Sequence, residues 1–200
     1  MSTDLGFQAA ALCLEYPDDA WREQLPLFEQ AAAALPRAPL ARFVAHARST
    51  TAAVLTRHYV ETFDLRRRCC PYLTYYAFGD TRKRGMALLR FTTAYRAAGF
   101  TVASGELPDH LGVVCEFTAR RPEPGRALFT ENRAGLELLH LALTDAGSPY
   151  ADVTGTVRAL LPDPAPRDLD RALELARSGP PAEDVGLEPF APPEHLGARR

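Results

Sequence analysis

The stretch YLTYYAFGDTRKRGMALLRF, Tyr72 to Phe91, decides the fold class. Its second half runs on into TTAYRAAGF. Leu88, Phe91, Tyr95 and Ala98 recur there at i, i+3, i+7 and i+10, which lays them along one face of an α-helix. Asp80 stands where an N-cap belongs, and Gly99 followed by Phe100 makes a Schellman-type stop. The first half places Tyr72, Tyr75, Tyr76 and Phe78 behind Pro71, which predicts a loop and then a short helix.

The same period extends in both directions. Downstream, Pro108 at a first-turn position predicts a helix ending near Arg121 and Pro122. A long helix follows from Pro124 to Ala146, with Leu128, Leu136, Leu139 and Leu143 facing inward. Ser148-Pro149 opens the next, carrying Tyr150, Val153, Val157, Leu160 and Leu161, and Pro162 stops it. The last helix spans Pro166 to Ser178, with Leu169, Leu173 and Ala176 along it. Upstream, helices are predicted from Asp4 to Tyr16, from Asp18 with Pro26 either kinking the helix or limiting its first part, from Pro39, and from Thr50 to Phe63. Strand-like alternation is absent. The fold class is therefore all-α, a single bundle of roughly eight or nine helices with short connections. It occupies residues 1–178. Residues 179–200 hold five prolines and three glycines and read as an extended tail. Within the tail, Val185, Leu187 and Phe190 form an apolar island able to fold back on the domain.

Composition removes several function classes. The net charge is −2, which gives no electrostatic basis for nucleic-acid binding. Lys83 is the only lysine in the chain. Met1 to Phe7 shows neither a basic nor an apolar leader segment, and apolar runs such as Leu138 to Leu143 are too short for membrane insertion, so the reading is cytoplasmic. The cysteines at 13, 69, 70 and 115 form no CxxC pair or zinc spacing. Phosphate loops, GxGxxG, HExxH and GxSxG are missing, and the five histidines are scattered. These observations predict no catalytic residue, no metal site and no enzyme.

Two features stand out from the helical pattern. Arg82, Lys83 and Arg84 crowd the first turn of a helix, where cations oppose the macrodipole. Arg66, Arg67 and Arg68 lie just upstream. Either these charges pair with local acids such as Glu61 and Asp64 or simply stay solvated, or they form a surface for an anion or an acidic partner. The second feature is ELPDHL, Glu106 to Leu111. With the helix starting at Pro108, Asp109 and Glu116 fall on one stripe above Gly112 and Val113. That stripe is either plain solvent-facing surface or the rim of a groove for a basic, apolar peptide.

At these residues the sequence resembles the NarJ family, the nitrate reductase delta subunits. The resemblance is carried by YVETFDL (Tyr59 to Leu65), the Tyr72 to Phe91 run, AYRAAGF (Ala94 to Phe100), ELPDHL and, in the tail, VGLEPF (Val185 to Phe190). It is dense over residues 59 to 117. It implies an all-helical fold similar to the TorD and DmsD chaperones. It also implies a molybdenum cofactor assembly chaperone that binds the N-terminal segment of the apo catalytic (alpha) subunit of respiratory nitrate reductase. Such a chaperone assists insertion of the molybdenum guanine dinucleotide cofactor into its client and carries no cofactor of its own. The same fold also serves other molybdoenzymes through twin-arginine signal peptides. Outside that class, a small helical enzyme or nucleotide-binding protein using Arg82 to Arg84 is the other reading.

The resemblance gives the two features their roles. Tyr59, Tyr72, Tyr75, Tyr76 and Leu107 are expected to line a peptide groove, with His110 beside them. Asp64, Asp109 and Glu116 are expected to meet basic residues of the peptide, and Arg82 and Arg84 acidic ones or cofactor phosphates.

Overall fold

In the computed structural model, residues 2–35, 39–102 and 105–181 are described, and the predicted apolar island of the tail lies outside them. Among the described residues the chain forms twelve α-helices and no strand. They are α1 (Ser2–Cys13), α2 (Asp19–Glu23), α3 (Leu25–Ala33), α4 (Leu40–Ser49), α5 (Ala52–Tyr59), α6 (Tyr75–Phe78), α7 (Arg82–Ala97), α8 (Leu111–Arg120), α9 (Pro122–Glu131), α10 (Arg133–Asp145), α11 (Tyr150–Ala159) and α12 (Pro166–Ser178). A π-helical turn, Val60–Asp64, continues α5, and a 3-10 turn spans Arg67–Cys69. No helix among the described residues is long and apolar enough to cross a membrane.

The centre is α1, which is apolar on most of its circumference and therefore buried. Phe7, Ala9, Ala10, Ala11 and Cys13 are all shielded from solvent. It lies along α8 and also meets α3 and α11. Phe7 stacks on Phe129 of α9 with ring centroids 5.6 Å apart. At its far end Trp21 donates its indole N–H to the Leu12 carbonyl at 2.7 Å, which satisfies a polar atom that burial would otherwise orphan. The rings of Phe43, Phe63 and Tyr59 close around Tyr150. A buried ion triad ties α10 to α11. Glu137 accepts from Arg133 at 2.7 Å and from Arg158 at 2.8 Å.

The helix count exceeds the expectation because two predicted elements are divided, while a third changes geometry without adding an α-helix. Of the two expected effects of Pro26, it limits the first part and does not kink one helix: it occupies the first turn of α3, where its missing N–H costs nothing, and the chain breaks at Gln24 before it. The helix predicted from Thr50 to Phe63 changes to π geometry at Val60, with the Leu65 N–H reaching back to the Val60 carbonyl. The long helix predicted from Pro124 to Ala146 breaks at Asn132. Beyond the break, Gly135 lets α10 approach the segment before α6: a Cβ there would sit 2.2 Å from the Leu73 carbonyl oxygen. Along α12 the buried residues are Ala172 and Leu175, while Leu169 and Leu173 face outward.

Candidate functional site

Two segments without regular structure, 71–74 and 106–110, come together antiparallel and build the floor of the site. The Leu73 N–H donates to the Asp109 carbonyl at 3.0 Å, and the Leu111 N–H to the Pro71 carbonyl at 2.9 Å. This pairing overturns the helix expected at Pro108. The backbone of Asp109 and Leu111 is committed to residues 71–73, so helix α8 starts at Leu111 and His110 is its N-cap. The His110 Nδ1 accepts from the Gly112 N–H at 3.2 Å, which puts the ring proton of the neutral form on Nε2. Burial lowers its pKa, against the pull of Glu106 and Asp109.

Asp109 is consequently not on a helical stripe with Glu116. It is fully buried, and one carboxylate oxygen accepts from the Thr74 N–H at 3.1 Å and the Thr74 hydroxyl at 2.6 Å. Arg84 reaches the same oxygen at 3.5 Å and Asp80 at 3.3 Å. Its guanidinium lies 5.2 Å from the centre of the Tyr72 ring and 5.9 Å from that of Tyr75. The cation at the start of α7 is thus offset by a buried carboxylate and two aromatic faces. Asp80 does not cap α7. Thr81 holds the N-cap position, and Asp80 turns to Arg84 instead. Arg84 bolts α7 to the 106–110 segment and is not open to an acidic partner. Arg82 is exposed on the first turn.

Above this knot lies a half-exposed aromatic surface. Tyr72 donates its hydroxyl to Glu106 at 2.8 Å and meets the His110 ring edge-on, centroids 5.4 Å apart. Burial raises the Glu106 pKa, but the Leu107 N–H, the Tyr72 hydroxyl and His110 outweigh it and hold the carboxyl below its ordinary value. Leu107 is partly exposed beside it. Tyr59 donates to the Leu14 carbonyl at 3.1 Å and packs edge-on against Tyr16 and Phe63. Its hydroxyl is pushed up to about 12, first by burial and then by Asp64, Glu106 and Glu15. Glu15 is raised in turn by burial and by its neighbours Glu116 and Asp18. Glu116 itself pairs with Arg120 at 2.7 Å on the exposed face of α8.

Of the residues predicted for the site, Tyr59, Asp64, Tyr72, Leu107, His110 and Glu116 belong to this acidic, aromatic surface or its edge. Asp109 and Arg84 brace it from below. Tyr75 and Tyr76 do not line it; both are nearly buried, and the Tyr76 hydroxyl is spent on the carbonyls of Arg68 and Cys70. Sequence reasoning missed Glu15, Tyr16, Thr74 and the role of Glu106. Glu15 and Tyr16 look like the polar end of α1, and nothing local signals that the chain brings them next to Tyr59. The cysteines are free; Cys69 is buried and Cys70 half-buried, and burial raises both thiols. Among the described residues no group of three or more His, Cys, Asp or Glu could hold a metal ion.

The comparisons agree with this architecture. The family model described as nitrate reductase delta subunit matches residues 17–154. The probable nitrate reductase molybdenum cofactor assembly chaperone NarJ of Bacillus subtilis (strain 168) is 32% identical over 78% of this chain and 87% of its own length. The nitrate reductase-like protein NarX of Mycobacterium tuberculosis (strain ATCC 25618 / H37Rv) is 40% identical over 77% of this chain, which spans only 24% of that longer protein. In structure, the chain is similar to a putative redox enzyme maturation protein from Archaeoglobus fulgidus, with a TM-score of 0.60, 23% identity, and coverage of 78% of this chain and 90% of that one. That likeness shows the fold. With the family model spanning well over half of the chain, and a relative matched over most of its length, the chain belongs to the nitrate reductase delta subunit family.

Proposed function

We propose that this protein is an assembly chaperone that binds the N-terminal segment of an apo nitrate reductase catalytic subunit. It holds that subunit ready for insertion of its molybdenum cofactor. The observation that carries the reading is the surface around Tyr59 and Tyr72, where Glu15, Asp64, Glu106 and Glu116 surround half-exposed aromatic rings. An amphipathic helix with basic residues along one edge would lay its apolar face on the rings and its cations on the carboxylates. The name carried by the Bacillus relative supports the same role. Binding is reversible and involves no bond made or broken, so the chain's residues act by complementarity alone. The chain needs no cofactor of its own for this; the molybdenum cofactor is its client's.

The reading is tested by calorimetric titration with a peptide of the catalytic subunit's first residues. Micromolar or tighter binding, weakened by added salt, is the expected result. Absence of binding at high peptide concentration sinks it. The same surface suits the cationic stretch of a twin-arginine signal peptide. Competition between the two peptides identifies the client, and the tighter ligand is expected to be the nitrate reductase segment.

A further inference from the structure

A second groove lies between the 66–80 stretch, α10 and α12. Its volume is about 600 Å³. Tyr75 and Tyr76 form one wall, and Leu138, Leu141 and Leu175 belong to its apolar lining. Leu141 is 50% exposed. Arg67 and Arg68 stand in the lining as well. They do not pair with Glu61 or Asp64, and among the described residues neither has an ion-pair partner. Of the two acids there, Asp80 is engaged by Arg84, which leaves Asp145. None of Tyr59, Tyr72, Glu106 or His110 takes part in this groove.

The described chain ends inside it. After α12 the backbone turns at Gly179, and Pro180 and Pro181 run into the groove as part of its lining. The carbonyl of Pro181 is set against Gly79, where a Cβ would sit 1.8 Å from that oxygen. Gly79 therefore leaves room for the chain to pass, and it holds a positive φ of 55°. Residues 182–190 follow with the sequence AEDVGLEPF. Val185, Leu187 and Phe190 carry apolar surface, and Glu183, Asp184 and Glu188 carry charge opposite to that of Arg67 and Arg68. Nine extended residues reach roughly 30 Å, enough to cross a groove of this size from its own edge.

We propose that the groove is the docking site of the chain's own C-terminal segment, Val185 to Phe190, in cis. The apolar residues cover Leu138 and Leu141, and the acids meet Arg67 and Arg68. This inference is independent of the client-peptide reading, since Tyr59, Tyr72, Glu106 and His110 do not line the groove.

The test is hydrogen exchange on the full-length protein, comparing the wild type with Val185→Asp/Leu187→Asp/Phe190→Asp and with Arg67→Glu/Arg68→Glu. Arg67 and Arg68 are exposed, and unchanged far-UV circular dichroism verifies the fold of both variants. Exchange in the segments 75–80 and 138–145 is expected to rise roughly tenfold in both variants. A synthetic peptide of residues 182–200 is expected to restore protection in the tail variant and not in the arginine variant. Three results would overturn the proposal. One is identical exchange in all three proteins. Another is protection that grows with protein concentration alongside dimer formation in sedimentation, which would assign the groove to a second copy. The third is protection that appears only when client peptide is added, which would assign it to the client.

Discussion

Asp109 and Glu116 are both carboxylates of the same short region, yet their surroundings give them different work. Asp109 has no solvent contact, and its partners Thr74 and Arg84 belong to other segments. Removing it leaves the Arg84 guanidinium, 11% exposed, without its buried counter-charge. Asp109→Ala is therefore expected to destabilise the fold by roughly 3 kcal/mol, as breaking a buried pair does. Glu116 pairs with Arg120 across a half-exposed turn, and such pairs contribute at most about 1 kcal/mol. Glu116→Ala is expected to keep the melting temperature within a few degrees and to weaken client-peptide binding. Thermal denaturation and titration of both variants check the contrast, and a stable Asp109→Ala protein would refute the bracing role. The sequence showed both acids and the helix that carries Glu116. It did not show which was buried, because Asp109 is fixed by Thr74, a residue 35 positions away in the chain.

At the scale of elements, the period-3.6 pattern placed α7 and α11 correctly, since each keeps a stripe that meets the core; for α12 it gave the bounds but not the buried face, which is Ala172 and Leu175. Phe91 and Tyr95 are buried on α7 as the stripe requires. Errors arose where tertiary contacts overrode local signals. Pro108 is a sound first-turn residue, but the hydrogen bonds of 109 and 111 are taken by 71–73. The split at Asn132 has no proline to announce it; what it achieves is the approach of Gly135 to Leu73. The triad on α10 is an element-scale device of the same kind. Arg133 donates to the Pro162 carbonyl at 2.9 Å as well as to Glu137, so the triad joins α10 to the chain after α11. Glu137→Ala leaves two arginines facing each other and is expected to cost roughly 3 kcal/mol or more, read as a lowered denaturant midpoint with unchanged slope. A variant as stable as the parent would show that the triad is dispensable.

For the whole molecule, burial governs how stability depends on pH. The pKa values of His58, His110 and His140 are all lowered, with burial the largest cause in each. Each imidazole binds a proton more readily in the unfolded chain than in the folded one. Stability is then complete above the unfolded value of about 6.5 and is lost as pH falls through the depressed folded values. The melting temperature is expected to be level near pH 7.5 and to decline below about 6.5, and His140→Gln is expected to make that decline shallower. A melting temperature flat from neutrality down to pH 5 would refute this.

One feature of composition and placement has a practical use. Lys83 is the only side-chain amine in the 200 residues, and it is exposed on the first turn of α7, next to the buried Arg84 bolt. An acylating dye therefore modifies a single side chain. Its emission reports from the boundary between the acidic surface and the groove beneath the aromatic segment. The wild-type protein, without engineered cysteines, thus comes with a built-in attachment point for measuring by energy transfer how far an added, labelled peptide lies from α7.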